Sequence, residues 1–145
     1  MKIVKKKLEP QQKKLMLILA AVAVVLIAVV VIGYIFTGDI SYTYTDTGLQ
    51  VTNSYINGVE LAYEDMDSVE LRQSFEYGTR GYGFGSARLA MGVYQNEEFE
   101  AYTLYAYKSC DSVVLIRSGE KVLVLNCETA EQTQTLYKTL LEKVK

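Results

Sequence analysis

Across 145 residues there is no histidine. The side chain most used as a general base, as the activator of a nucleophile and as a zinc ligand is therefore missing. A catalytic Cys or Ser would have to take its base from Lys or a carboxylate, and no such arrangement stands out. The sequence predicts a protein that is not an enzyme, with no catalytic residue and no cofactor. Glu64, Asp65, Asp67 and Glu70 form an acidic cluster whose Asp65-x-Asp67 start resembles a calcium loop. The sixth position, however, is Glu70 where glycine is needed, although Glu76 fits the twelfth. With a strand-like SVEL running through it, the segment is expected to be a solvated turn and not a metal site. Glu97, Glu98 and Glu100 are expected at a hairpin tip.

Gly81-x-Gly83-x-Gly85, beside Arg80, has glycine spacing that suggests a phosphate cradle. Such a cradle requires a helix N-terminus after it to aim amides at the anion. The next residues are instead SARLAMGV, in which Leu89, Met91 and Val93 alternate as in a strand. The glycine stretch 78–85 is therefore expected to be irregular and structural. The alternative is a binding loop that presents Arg80, Tyr82 and Phe84 to a partner, because exposed loops with aromatics and Arg often form contacts.

Cys110 and Cys127 are the only cysteines. With Ser118-Gly119 as a two-residue hairpin loop, Arg117 faces Glu120 and Cys110 falls opposite Cys127. Opposed antiparallel residues have Cα atoms about 4.5–5.5 Å apart, within disulfide range. With Gly119-Glu120 as the loop, the pair becomes diagonal and bonding is harder. A structural disulfide and two reduced thiols both stay open. Eleven of the twelve tyrosines lie beyond residue 36, with Tyr42 and Tyr44 on one strand face and Tyr105 and Tyr107 on another. They suit a half-wet sheet, with a polar-aromatic recognition surface as the alternative.

The elements that carry these groups are set by charge and hydropathy. Residues 1–14 hold six lysines against Glu9, whereas residues 37–145 hold nine Lys/Arg and sixteen Asp/Glu, a net charge of -7. A domain so acidic has no electrostatic footprint for nucleic acid. Between the two lies LMLILAAVAVVLIAVVVIGYIF (15–36), 22 residues without a charge. As a helix it would extend about 33 Å, enough to cross the hydrocarbon core. A cleaved signal peptide would have a shorter apolar region ending in small residues, and this one ends in Tyr34, Ile35 and Phe36. All six nearby lysines precede the span, and the next cation is Arg72. The positive-inside rule predicts a cytoplasmic N-terminus and an extracytoplasmic domain.

Beyond the span the pattern changes to short strands. ISYTYT (40–45) turns through Asp46-Thr47-Gly48 into LQVTNSY. Asn57-Gly58 then leads into VELAY as a hairpin. SVELRQ (68–73) alternates, 88–94 and 99–107 read as an antiparallel pair, and VVLI (113–116) with VLVL (122–125) is apolar on both faces and so belongs at the centre. A closing helix starts at the N-cap Thr129, with Gln132 at capping-box spacing, and Leu136, Leu140 and Val144, broadened by Tyr137 and Leu141, form its apolar stripe.

In order and spacing, VELAYEDMDSVEL (59–71), GTRGYGFGSARL (78–89) and VVLIRSGEKVLVLN (113–126) with the helix resemble bacterial pleckstrin-homology-like domains over about residues 40–145. The resemblance implies a strongly bent, barrel-like antiparallel sheet of about seven strands capped by the helix. It also implies a membrane-associated binding or scaffolding module without catalysis. Phosphoinositide-binding pleckstrin domains place bases in the first hairpin loop. Here that loop, Thr45-Asp46-Thr47-Gly48, has an acid and no base, so no phosphoinositide is expected.

The expected organisation is a basic cytoplasmic tail (1–14), a transmembrane helix (15–36) and an extracytoplasmic domain (37–145). The expected partners are the bilayer and other membrane or envelope proteins. Scaffolding in the envelope is the first expectation. An accessory or sensor ectodomain that signals through the span is the second.

Overall fold

In the computed structural model, residues 7–144 are described, and the chain divides into two compact units, Met1–Ile35 and Phe36–Lys145. The helix of the first unit is α1 (Pro10–Phe36), whose last residue opens the second unit; it has no buried residue. It is long and apolar enough to cross a membrane. It begins earlier than residue 15 because the polar run PQQKK continues the helix outward, and proline is pre-set for a first helical position.

The second unit is mainly β with a C-terminal helix. Its strands are β1 (Ile40–Tyr44), β2 (Gly48–Asn53), β3 (Val59–Ala62), β4 (Ser68–Arg72), β5 (Thr79–Gly85), β6 (Leu89–Gln95), β7 (Tyr102–Tyr107), β8 (Val113–Ser118) and β9 (Lys121–Leu125). A short 3-10 turn (Tyr63–Asp65) comes after β3, and α2 (Ala130–Lys143) closes the chain. β1-β2-β3 form one antiparallel sheet, and the other has the order β4-β8-β9-β7-β6-β5. Within the six-stranded sheet β7 and β9 run parallel, and every other pairing is antiparallel.

Nine strands in two sheets replace the single antiparallel sheet of about seven expected from the sequence. Part of the difference lies in residues 78–85. The glycines argue against a strand, yet pairing with β6 makes nearly the whole segment β5, including Gly83↔Gly92 and Phe84↔Met91. β9 takes the central place expected of it, between β8 and β7, but pairs with β7 in parallel, which an all-antiparallel sheet does not allow.

β8 and β9 explain why the six-stranded sheet is covered on both sides. Val114, Ile116, Leu123 and Leu125 join a core with Leu49 and Val51 of the small sheet and Leu136 and Leu140 of α2. The alternate residues Val113, Leu115, Val122 and Val124 face a second core with Leu104, Tyr102 and Tyr94. That face is roofed by loop aromatics instead of a second layer: Phe99 is buried there, and Phe75 and Tyr77 pack against it. Burial on both faces is what continuous apolar strands require.

The helix cap is as expected, with Gln132 N donating to Thr129 Oγ1 at 3.2 Å. The stripe differs in one respect. Thr133, Leu136 and Leu140 are the buried residues of α2, while Leu141 is exposed. Thr133 reaches the interior because its hydroxyl donates to Thr129 O (2.8 Å) and accepts from Cys127 N (2.9 Å).

Candidate partner-binding surface

The expected binding trio is not a loop and does not share one face. A bulge interrupts the β5–β6 register between Arg80 and Tyr82. Arg80 therefore sits opposite Tyr94, while Tyr82 and Phe84 sit opposite Val93 and Met91. Directly opposed residues share a face, so the bulge turns Arg80 away from the two aromatics. The Arg80 guanidinium lies in the space that a Cβ on Gly85 would need. Phe84 stacks on Tyr55, centroids 4.0 Å apart and planes 12° apart. Of the three, Tyr82 is the most open, 72% exposed, beside the 41% exposed Val93.

The strand pair approaches closely at Gly83 and Gly92, which face each other with φ of 128° at both. A side chain on Gly83 would meet the Met91 carbonyl, and one on Gly92 the Tyr82 carbonyl. L-residues avoid that backbone region, so both glycines are structural requirements.

At the start of β5 the surface opens into a groove of about 1000 Å³. Its charge comes from Glu76, Glu97, Glu98, Glu100 and Asp111, against one guanidinium, Arg72. Arg72 is already held by Glu98 (2.5 and 2.7 Å) and Glu70 (3.0 Å) and lies 5.8 Å over the Phe75 ring. The Arg72 guanidinium holds the Glu98 carboxyl below the usual carboxylate range, and Arg72 itself is raised by the same bonds. Arg117 stacks 5.2 Å from the Phe99 ring centroid. The sequence pattern places 97–100 at a hairpin tip but does not reveal the facing wall, Phe75 to Asp111. The signal for that wall is the alternation Phe75-Glu76-Tyr77, with aromatics inward and the acid outward.

The other acidic cluster is structural in part. Asp67 Oδ2 accepts from Gly119 N at 2.6 Å, and Glu64 and Asp65 lie in the 3-10 turn. Among the described residues, no group of three His, Cys, Asp or Glu could hold a metal ion. The first hairpin loop is closed on itself, with Gly48 N donating to Thr45 Oγ1 at 2.9 Å.

The register of β8 and β9 pairs Ser118 with Lys121, so the two-residue loop is Gly119-Glu120. Gly119 takes φ of 57°, a conformation glycine adopts without penalty. This is the loop that removes Cys110 from its place opposite Cys127. Both are free thiols, Cys110 buried and Cys127 partly so, and Cys110 Sγ contacts Thr133 Oγ1 at 3.5 Å. Burial, reinforced by the nearby Cys110, pushes the Cys127 thiol up to about 11.

The buried and half-buried tyrosines act as struts. Tyr42 donates to Asn126 O (2.5 Å), Tyr102 to Tyr77 O (2.5 Å) and Tyr105 to Asn57 O (2.7 Å). Tyr107 donates to Ile40 O (3.1 Å) and accepts from Ile40 N (2.8 Å). Arg88 reaches the segment before β1, with bonds to Gly38 O (2.5 Å), Asp39 (3.1 Å) and Glu128 (3.0 Å) while it lies 5.4 Å over the Tyr107 ring.

Comparison with known proteins gives no likeness to lean on: no protein family, no curated protein and no solved structure matches this chain.

Proposed function

We propose that this chain is a non-catalytic binding or scaffold module of the cell envelope, held in the membrane by α1 with its N-terminus cytoplasmic and its β domain outside. The observation that carries the reading is the sharp division of the sequence into lysines, an uncharged span and an acidic domain. Lysines retained on the cytoplasmic side fix the orientation of a single span. A tethered module gains effective concentration toward neighbours in the same membrane, so weak contacts suffice for binding. A pleckstrin-homology-like ancestry is part of the proposal; the terminal helix packed on a two-sided β core supports it, and the parallel β7–β9 pair departs from it.

The test is protease access to a C-terminal tag in intact cells. We expect the tag to be removed without lysis, whereas a tag cut only after lysis overturns the orientation. Pull-down in mild detergent with recovery of no stable partner would count against the scaffold reading. The accessory or sensor reading draws on one observation, the Arg88 bonds that fasten the residues just after α1. Scrambling the span at constant hydrophobicity separates the two, since a plain anchor tolerates it and a signalling span does not.

A further inference from the structure

We infer that the outer edge of β5 is a strand-addition site for an extended protein segment that carries lysine or arginine at the end nearest Thr79. The inference rests on the reading of the domain as a binding module and names its surface and partner chemistry.

The two sheets end in four edges, β1, β3, β4 and β5. An edge strand presents backbone N–H and C=O groups that a partner strand can pair, and proteins normally guard it with charge, brevity or cover. β4 has α2 packed beside it and bears Glu70 and Arg72. β3 has four residues, one of them Glu60. The Ile40 backbone at the head of β1 is held by the Tyr107 hydroxyl. β5 lacks these protections; its bulge lies between Arg80 and Tyr82, and the residues from Tyr82 to Gly85 stay in regular register with β6. It is seven residues long, six of them are exposed, and it contains no carboxylate. Its one charge, Arg80, is folded back over Gly85. The glycines at 81, 83 and 85 leave a low surface over which another backbone can approach, and Tyr82 with Val93 supplies an exposed apolar contact on one face. Recognition by strand addition needs these two things, main-chain bonds and a place for alternate side chains.

Charge selects the occupant. The acidic groove is lined by Gly78 and Thr79 as well as by Glu76, Glu97 and Glu100, so a strand laid along β5 runs its end into that groove. The one guanidinium lining the groove is already engaged by Glu70 and Glu98. A second copy of this net-acidic domain would bring like charge to the same place, whereas a basic segment brings the opposite sign.

The experiment uses the full chain in lipid nanodiscs and a fluorescein-labelled synthetic peptide of alternating Thr and Val followed by three lysines. The valines choose the face by packing on Tyr82 and Val93, so only one edge of the peptide meets β5. N-methylation of alternate backbone amides in one register should therefore weaken binding at least tenfold, and in the other register should leave it unchanged. Replacing the lysines with Glu, or E97K/E100K in the protein, should also weaken it at least fivefold. Glu97 and Glu100 are exposed and make no ion pair among the described residues, so their replacement leaves the fold intact. Equal effects of the two N-methylated registers, equal binding of the Glu peptide, or no binding at millimolar peptide each overturns the inference. So does a dimer in light scattering that Tyr82→Glu splits, because the edge would then belong to a second copy. A shielded C-terminal tag defeats the envelope reading but leaves these peptide results standing, so the two failures are distinct.

Discussion

Asn126 is the residue on which the centre of the domain most depends. It is fully buried, and both of its amide atoms are used: Oδ1 accepts from Tyr107 N (2.6 Å), and Nδ2 donates to Tyr107 O and Cys110 O (3.0 Å each). These bonds satisfy the backbone where β7 ends and the chain crosses to β8. Asn126→Ala strips Tyr107 N and Cys110 O of this buried partner and leaves Tyr107 O with only the longer bond from Cys110 N (3.3 Å), and urea unfolding of the detergent-solubilised protein should show a loss of about 3 kcal/mol. Half-buried acids of the two cores also make an alkaline limb. Burial raises Cys127 to about 11 and Tyr77 to about 12, and raises the Tyr42 phenol as well. In the unfolded chain these groups lose their protons near about 8.5 for Cys and about 10 for Tyr, while the folded chain keeps them. Stability from Cys127 is therefore full below about pH 8.5 and is lost as pH rises through about 11. Urea midpoints measured from pH 8 upward should fall, and Cys127→Ala should flatten the first part of that fall; an unchanged slope contradicts the burial argument.

The element least legible from sequence is β5, and its glycines are not equivalent. Gly83 sits at φ 128° against the Met91 carbonyl, whereas a Cβ at Gly81 would meet only Val93 O at an ordinary 3.7 Å. Gly83→Ala should therefore cost about 2 kcal/mol, from the disfavoured backbone and the displaced strand together. Gly81→Ala should stay within about 0.5 kcal/mol. Thermal unfolding of the two variants side by side checks this, and similar losses would mean that β5 is held otherwise. Elements with strong local signals are legible. The cap at Thr129, the doubly apolar β8 and β9 and the hairpins around residues 46–48 and 57–58 arise from short-range patterns. Tyr82 can be picked out as an exposed aromatic, but its grouping with Arg80 fails, because a one-residue bulge reverses which face a side chain takes.

At the scale of the full chain, the proposed orientation rests on charge asymmetry. Changing the six lysines of residues 1–14 to Gln removes the bias, and a C-terminal tag should go from full to partial protease access in intact cells. A tag equally accessible in both proteins would mean that something other than the lysines sets the topology. An apolar span, a mostly β domain, a closing helix and an acidic surface can all be read from the residues in order, since each depends on composition or on the spacing of neighbours along the chain. Long-range pairing had to settle the rest: that β9 lies beside β7 in parallel, that residues 73–78 roof the second core, and that Gly119-Glu120 forms the turn which separates the two cysteines. These are choices among pairings of similar local quality. They are resolved by which arrangement buries Val113 to Ile116 and Val122 to Leu125 on both faces at once, a condition that involves residues far apart in sequence.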